Sequence, residues 1–115
     1  MTLHLFGIKA CDTMKKARTF LDGRGIAYVF HDYKLEGVTA DRLAEWVAKV
    51  GWERLLNRSG TTFRKLPEAT RADLTEAKAI ALMVAQPSMI KRPVLARGEE
   101  LLVGFRSEEW ERLLG

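Results

Sequence analysis

The 115-residue chain has one cysteine, Cys11. A single thiol cannot close an internal disulfide, which excludes a small, cross-linked, secreted scaffold. The chain has two histidines, His4 and His31, and neither has a serine, cysteine or metal-ligand partner at a telling spacing. No metal site is therefore expected. No apolar run approaches the length of a membrane span. The start, Met1-Thr2-Leu3-His4, carries no charged segment ahead of a long apolar core, so no signal peptide is expected. The expected compartment is the cytoplasm. Internal repeats, low-complexity tracts and linkers are missing too, which predicts one domain over residues 1–115.

What is present suits a folded protein: hydrophobic residues make up 47% and charged residues 30%, enough of the former to bury a core. The net charge of +4 fits either nucleic-acid binding or a small anionic ligand. The basic residues form no run and do not interleave regularly with aromatics, because Lys and Arg mix with Asp and Glu along the chain. That pattern favours a local anion site, with no nucleic-acid and no membrane partner.

The first apolar run, residues 3–6, reads as a strand. A helix follows over about 12–22, with Thr13, Ala17, Phe20 and Leu21 inward, and Gly23 and Gly25 stop it. Residues 26–30 read as a second strand, apolar throughout, which predicts burial on both faces of a parallel sheet. His31 and Asp32 close it. A histidine beside an acid can act as a general base, but these two read as polar strand-end residues. Leu35-Glu36-Gly37 is a loop. Thr39 is a candidate cap for a helix over 41–50, whose apolar stripe is Leu43, Trp46, Val47 and Val50. Residues 52–56 suggest a further helical turn, 57–62 a polar loop, and Pro67 a helix N1 position. A helix over 75–86, ended by Pro87, turns Leu74, Ala77, Ile80, Ala81 and Val84 inward. Residues 94–96 and 101–103 flank a glycine-containing turn and read as a hairpin. Ser107 caps a last helix with Trp110, Leu113 and Leu114 on its apolar face.

Cys11 falls between the first strand and the first helix, at or beside the helix's first turn. Backbone N–H groups lack partners there and the dipole is positive, so a thiolate is stabilised. Lys9, Lys15 and Lys16 add positive charge, and such settings lower a cysteine pKa and make it nucleophilic. Asp12 works against this. The plainer alternative is a small buried apolar residue, for which these charged neighbours are poor companions.

The order is βαβ, a block of helices over about 39–86, then ββα. It predicts an α/β, thioredoxin-like fold with a mixed four-stranded sheet and a helical insertion between its halves. In that plan the loop after the first strand is the reactive loop, and Cys11 lies on it, although a fold alone does not establish a function.

Four stretches carry a resemblance: Gly7-Ile8-Lys9-Ala10-Cys11-Asp12-Thr13, Phe30-His31-Asp32-Tyr33, residues 60–66 and Ile90-Lys91-Arg92-Pro93. With Leu55-Leu56-Asn57-Arg58 they resemble the ArsC/Spx/YffB family over nearly the whole chain, most closely its YffB-like branch. The resemblance implies a thioredoxin fold with a helical insert. In the family's arsenate reductases one cysteine attacks arsenate, arginines hold the oxyanion, glutathione attacks the adduct and glutaredoxin completes the cycle. It follows that Cys11 matches the nucleophile, Arg92 one family arginine, and Lys15 a basic position in the first helix. The bond before Pro93 resembles the family's cis peptide, which would set Arg92 against the Cys11 loop. Guanidinium groups suit such a role because they grip oxyanions through paired hydrogen bonds.

The departures are specific. Asn57 stands where arsenate reductases carry an arginine, with Arg58 one position later; Arg106 is offset from the third family arginine; and Gly7 replaces a histidine, for which Lys9 can substitute electrostatically. Arg58, Arg64, Arg92 and Arg106 could also bind the carboxylates of glutathione. The regulator branch, which binds RNA polymerase, has a Cys-x-x-Cys pair, and here its second position is Met14. The implied function is a glutathione-coupled thiol reductase acting on arsenate, a related oxyanion or a mixed disulfide. It has no bound cofactor, glutathione as co-substrate, glutaredoxin as a possible partner and a monomeric state. The alternative is a protein-binding or regulatory module on the same scaffold.

Overall fold

The computed structural model describes residues 2–114. In chain order its elements are β1 (Leu3–Gly7), α1 (Asp12–Gly23), β2 (Val29–Asp32), α2 (Tyr33–Glu36), α3 (Ala40–Val50), α4 (Trp52–Leu55), α5 (Thr61–Arg64), α6 (Glu68–Arg71), α7 (Glu76–Ala85), a 3-10 turn (Pro87–Met89), β3 (Val94–Arg97), β4 (Glu100–Val103) and α8 (Ser107–Leu114). They form two units: residues up to 33 together with those from 92 onward, and residues 34–91. The second unit is longer at both ends than the insertion expected over 39–86.

The first unit holds a mixed four-stranded sheet in the order β2-β1-β3-β4. Strand β1 runs parallel to β2 and antiparallel to β3, and β3 pairs antiparallel with β4. This βαβ plus ββα sheet is the thioredoxin-like arrangement. Gly7 sits opposite Asp32, Phe6 opposite Val94, and Val94 opposite Val103. The register therefore brings four connections to one end of the sheet: the loop after β1, the residues after β2, the residues before β3 and the loop after β4.

One sheet face carries the core of this unit. Leu3, Leu5 and Leu95 cluster with Met14, Ala17 and Leu21 of α1 and with Trp110 of α8. Trp110 is fully buried, meets the rings of Phe20 and Phe105 edge-on, and donates its indole N–H to the Gly104 carbonyl at 3.2 Å. Gly104 has φ +84°, a left-handed conformation that suits glycine. On the other face His4 Nδ1 lies 2.9 Å from His31 Nε2, and Phe6 stacks on His31 with ring centroids 4.4 Å apart. Read separately, the two histidines have no partner at a telling spacing; the β1–β2 register makes them partners of each other.

Several expectations are corrected. The second strand is Val29–Asp32, not residues 26–30, so His31 and Asp32 lie inside it. It is a sheet edge rather than a strand buried on both faces, and Val29 is 44% exposed. In α1 the fully buried residues are Met14, Ala17 and Leu21, with Thr13 and Phe20 only partly covered. Residues 33–36 and 61–64 form single helical turns where loops were expected. Pro67 precedes α6 as its N-cap.

In the second unit α3 packs on α7. Leu43, Trp46 and Val47 of α3 are buried, and the Thr39 hydroxyl caps it by accepting from the Arg42 N–H at 3.1 Å. Thr75 caps α7 in the same way, through the Lys78 N–H at 3.2 Å. The buried residues of α7 are Ala79 and Met83, while Ala77, Ala81 and Val84 are exposed. Its sequence is apolar nearly all round, so periodicity could not select the inward face. Leu56 and Ile90 form an antiparallel bridge, extended by hydrogen bonds from Asn57 N–H to the Met89 carbonyl and from Lys91 N–H to the Leu55 carbonyl, both 2.7 Å. Among the described residues no helix is long and apolar enough to cross a membrane.

The role of Trp110 yields a stability prediction. Trp110→Ala removes a buried indole from the centre of the cluster and should lower the unfolding free energy by about 3–5 kcal/mol. Trp110→Phe keeps most of the packing but leaves the Gly104 carbonyl without its donor, and should cost about 1–3 kcal/mol. Urea unfolding of both variants measures this.

Candidate active site

Cys11 is the N-cap of α1, with extended backbone at φ −83°, ψ 134°. The loop is pinned on both sides, by Cys11 N–H to the Ile8 carbonyl at 3.3 Å and by Lys15 N–H to the Cys11 carbonyl at 3.0 Å. The thiol is partly exposed. It makes no short capping hydrogen bond, but the N–H groups of Met14 and Thr13 face it and favour its ionised form. These are N3 and N2 of the helix, the donors that an N-cap side chain normally satisfies.

Arg92 completes the setting. It stands two residues before β3, and its peptide bond to Pro93 is cis. Its guanidinium favours the Cys11 thiolate, both as a hydrogen-bond donor to the ionised sulfur and by its charge. Several effects compete over the thiol pKa. Burial pushes it up. The Arg92 hydrogen bond, the Met14 and Thr13 N–H groups and the Arg92 charge pull it down. The downward effects win, so the pKa lies below the ordinary thiol value.

The other candidates are less closely engaged. Lys9 and Lys15 are exposed residues flanking Cys11 in sequence. Arg106 lies on the connection from β4 to α8, at the same end of the sheet as Cys11, with its side chain 73% exposed and 4.0 Å from Glu109. Gly104 N–H, bonded to the Pro93 carbonyl at 2.8 Å, ties this connection to the start of β3. Arg58 and Arg64 belong to the second unit: Arg58 lies over the Trp52 ring at 5.7 Å, and Arg64 is exposed in α5. Asn57 accepts a hydrogen bond from the Ser59 hydroxyl at 3.0 Å.

The sequence reading did not single out Thr13 and Met14 as backbone donors, though their places two and three residues after Cys11 would have indicated it. Asp32, the last residue of β2, is a buried carboxyl opposite Gly7. Among the described residues no group of three or more His, Cys, Asp or Glu side chains could hold a metal ion.

Residues 6–113 match the ArsC family. The chain belongs to the ArsC family. Among solved structures, the YffB protein is 60% identical, with a TM-score of 0.97 over 99% of this chain and 100% of that one. An arsenate reductase (ArsC) related protein from Brucella melitensis is 54% identical, with a TM-score of 0.80 over 99% of this chain and 95% of that one. The global transcriptional regulator Spx 1 of Lactococcus lactis is 26% identical over 93% of this chain and 84% of its own length. The ArsC family thus joins this chain both to arsenate reductase-like proteins and to Spx-like regulators.

The thiolate geometry makes a direct prediction for this ArsC-family chain. The alkylation rate of Cys11 should rise with pH and level off below the free-thiol inflection of about 8.5. Arg92→Met removes both a hydrogen-bond donor and a charge. It should move the inflection upward and slow alkylation at neutral pH by roughly tenfold for each pH unit moved. Cys11 is stabilised as thiolate in the folded state. Its contribution to stability is therefore present above the unfolded pKa and is lost as pH falls through the folded one.

Proposed function

We propose that this protein is a glutathione-coupled thiol reductase with Cys11 as its nucleophile. The observation that carries the reading is the Arg92 guanidinium on the Cys11 sulfur, beside the first N–H groups of α1. A thiol held there has a lowered pKa and stays partly exposed, and both favour nucleophilic attack.

The chemistry runs in two exchanges. Cys11 thiolate attacks the glutathione sulfur of a mixed disulfide; a Cys11–glutathione bond forms and the substrate leaves as a thiolate, which takes a proton. A second glutathione, as thiolate, attacks the glutathione sulfur on Cys11. Cys11 leaves as thiolate and glutathione disulfide departs. Net, the substrate sulfur gains one electron and the incoming glutathione sulfur loses one, while the glutathione sulfur of the mixed disulfide passes unchanged into glutathione disulfide. Because Cys11 is the only cysteine, the resolving thiol has to be external.

An oxyanion substrate such as arsenate follows the same logic. Cys11 displaces one oxygen of arsenate as water. Glutathione then attacks the Cys11 sulfur, releasing arsenic reduced by two electrons, and glutaredoxin reduces the remaining Cys11–glutathione disulfide. Arg92 would steady the oxygens through paired hydrogen bonds, with Arg106, Lys9 and Lys15 as further cations. The likeness to the arsenate reductase-related protein supports this branch. The disulfide branch asks less of the site, since one thiolate and one anion-binding group suffice. A monomer in the cytoplasm fits both, because glutathione is abundant there and keeps thiols reduced.

The likeness to Spx 1 favours a second reading, a regulatory module that docks a protein. One experiment separates the two. Incubation of the reduced chain with glutathione disulfide should give one glutathione adduct, at Cys11. Turnover of glutathione mixed disulfides or arsenate should vanish in Cys11→Ser. Full activity in Cys11→Ser would overturn the mechanism, and a stable protein partner retained by that variant would establish the module.

A further inference from the structure

Gly7 ends β1, is buried, and pairs with Asp32 in ordinary strand register. Its φ lies outside the left-handed region, so backbone freedom does not explain the glycine. Space does. A Cβ at this position would stand 2.2 Å from Met14 Sδ, 2.6 Å from Met14 Cε and 3.1 Å from Met14 Cγ. The thioether therefore rests directly on the bare Cα of Gly7. Met14 is 0% exposed and packs in the cluster of Leu5, Ala17, Leu21 and Trp110. A flexible methionine can usually evade a clash, but a close-packed interior offers this one little room, and strain passes to the backbone.

That backbone is the first turn of α1. The Met14 N–H is one of the two backbone donors that favour the Cys11 thiolate. We infer that Gly7 and Met14 are a matched positioning pair: the missing side chain at 7 seats the thioether at 14, and this seat fixes the first turn so that its N–H groups face the Cys11 sulfur. The inference deepens the reading of Cys11 as a nucleophile and rests on it.

The test is a mutant cycle read by the pH dependence of Cys11 alkylation, with thermal unfolding followed in parallel. Gly7→Ala should raise the inflection toward the free-thiol value of about 8.5 and slow alkylation at neutral pH by roughly threefold to tenfold. Met14→Ala removes the seat without crowding it and should shift the inflection the same way by less. The double variant Gly7→Ala with Met14→Ala should recover about half or more of the rate lost by Gly7→Ala, because contacting residues couple. Either of two results overturns the pair: unfolding at lower temperature with an unmoved inflection, or additive shifts in the double variant. Should Gly7→Ala fail to fold, Met14→Ala alone decides, and an unmoved inflection there is equally fatal. The unsubstituted chain tests the parent reading separately, since an inflection at the ordinary value in that chain overturns the nucleophile itself.

Discussion

A cysteine thiol at the start of α1, its pKa held below the ordinary value, is the feature around which the first unit is arranged. Covering the sulfur raises its pKa, yet the same structure that covers it supplies Arg92 and two backbone N–H groups that lower it more. The balance favours ionisation because the donors are fixed before the charge appears. Backbone N–H groups at a helix start have no internal partner, so facing an anion sacrifices no hydrogen bond. Arg92 adds a full charge and a directed bond, which a lysine on a flexible stem would supply less rigidly. The sulfur stays partly exposed, as a nucleophile must.

Sheet topology brings these groups together. Strand β1 runs toward the site and β3 runs away from it, so the end of one lies beside the beginning of the other. Cys11 follows β1 and Arg92 precedes β3. The same antiparallel step returns β4 to that end, and the Gly104 to Pro93 hydrogen bond holds the next connection there. Packing of Leu5, Leu95, Met14 and Trp110 fixes the sheet and α1 as one body in this unit. A site assembled from strand ends is thus anchored by residues with no chemistry of their own.

Much of this was legible in the sequence. The alternation of strand and helix signals implied the thioredoxin-like order, and Cys11 stood where the reactive loop falls. Arg92 became legible only through the resemblance of Ile90-Lys91-Arg92-Pro93, since nothing local ties it to Cys11. What escaped is non-local. Val29 looks like a core residue until its strand is found at the sheet edge. The face of α7 could not be read from a stretch containing Ala77, Ile80, Ala81, Leu82 and Val84, where every side is apolar. His4 and His31 became partners through strand register. Gly7 stands where the resemblance has a histidine and Met14 where it has a second cysteine, and the Met14 side chain fills the space a Cβ at Gly7 would need.

Thiolate activation is contained within a single unit. Cys11, Thr13, Met14 and Arg92 all belong to the part of the chain that holds the sheet, whereas Asn57, Arg58 and Arg64 belong to residues 34–91. Replacement of the family arginine by Asn57 therefore leaves the groups that ionise the sulfur untouched. A family that includes both reductase-like proteins and regulators is consistent with that division, because an activated cysteine serves either role and the surrounding charges decide what reaches it.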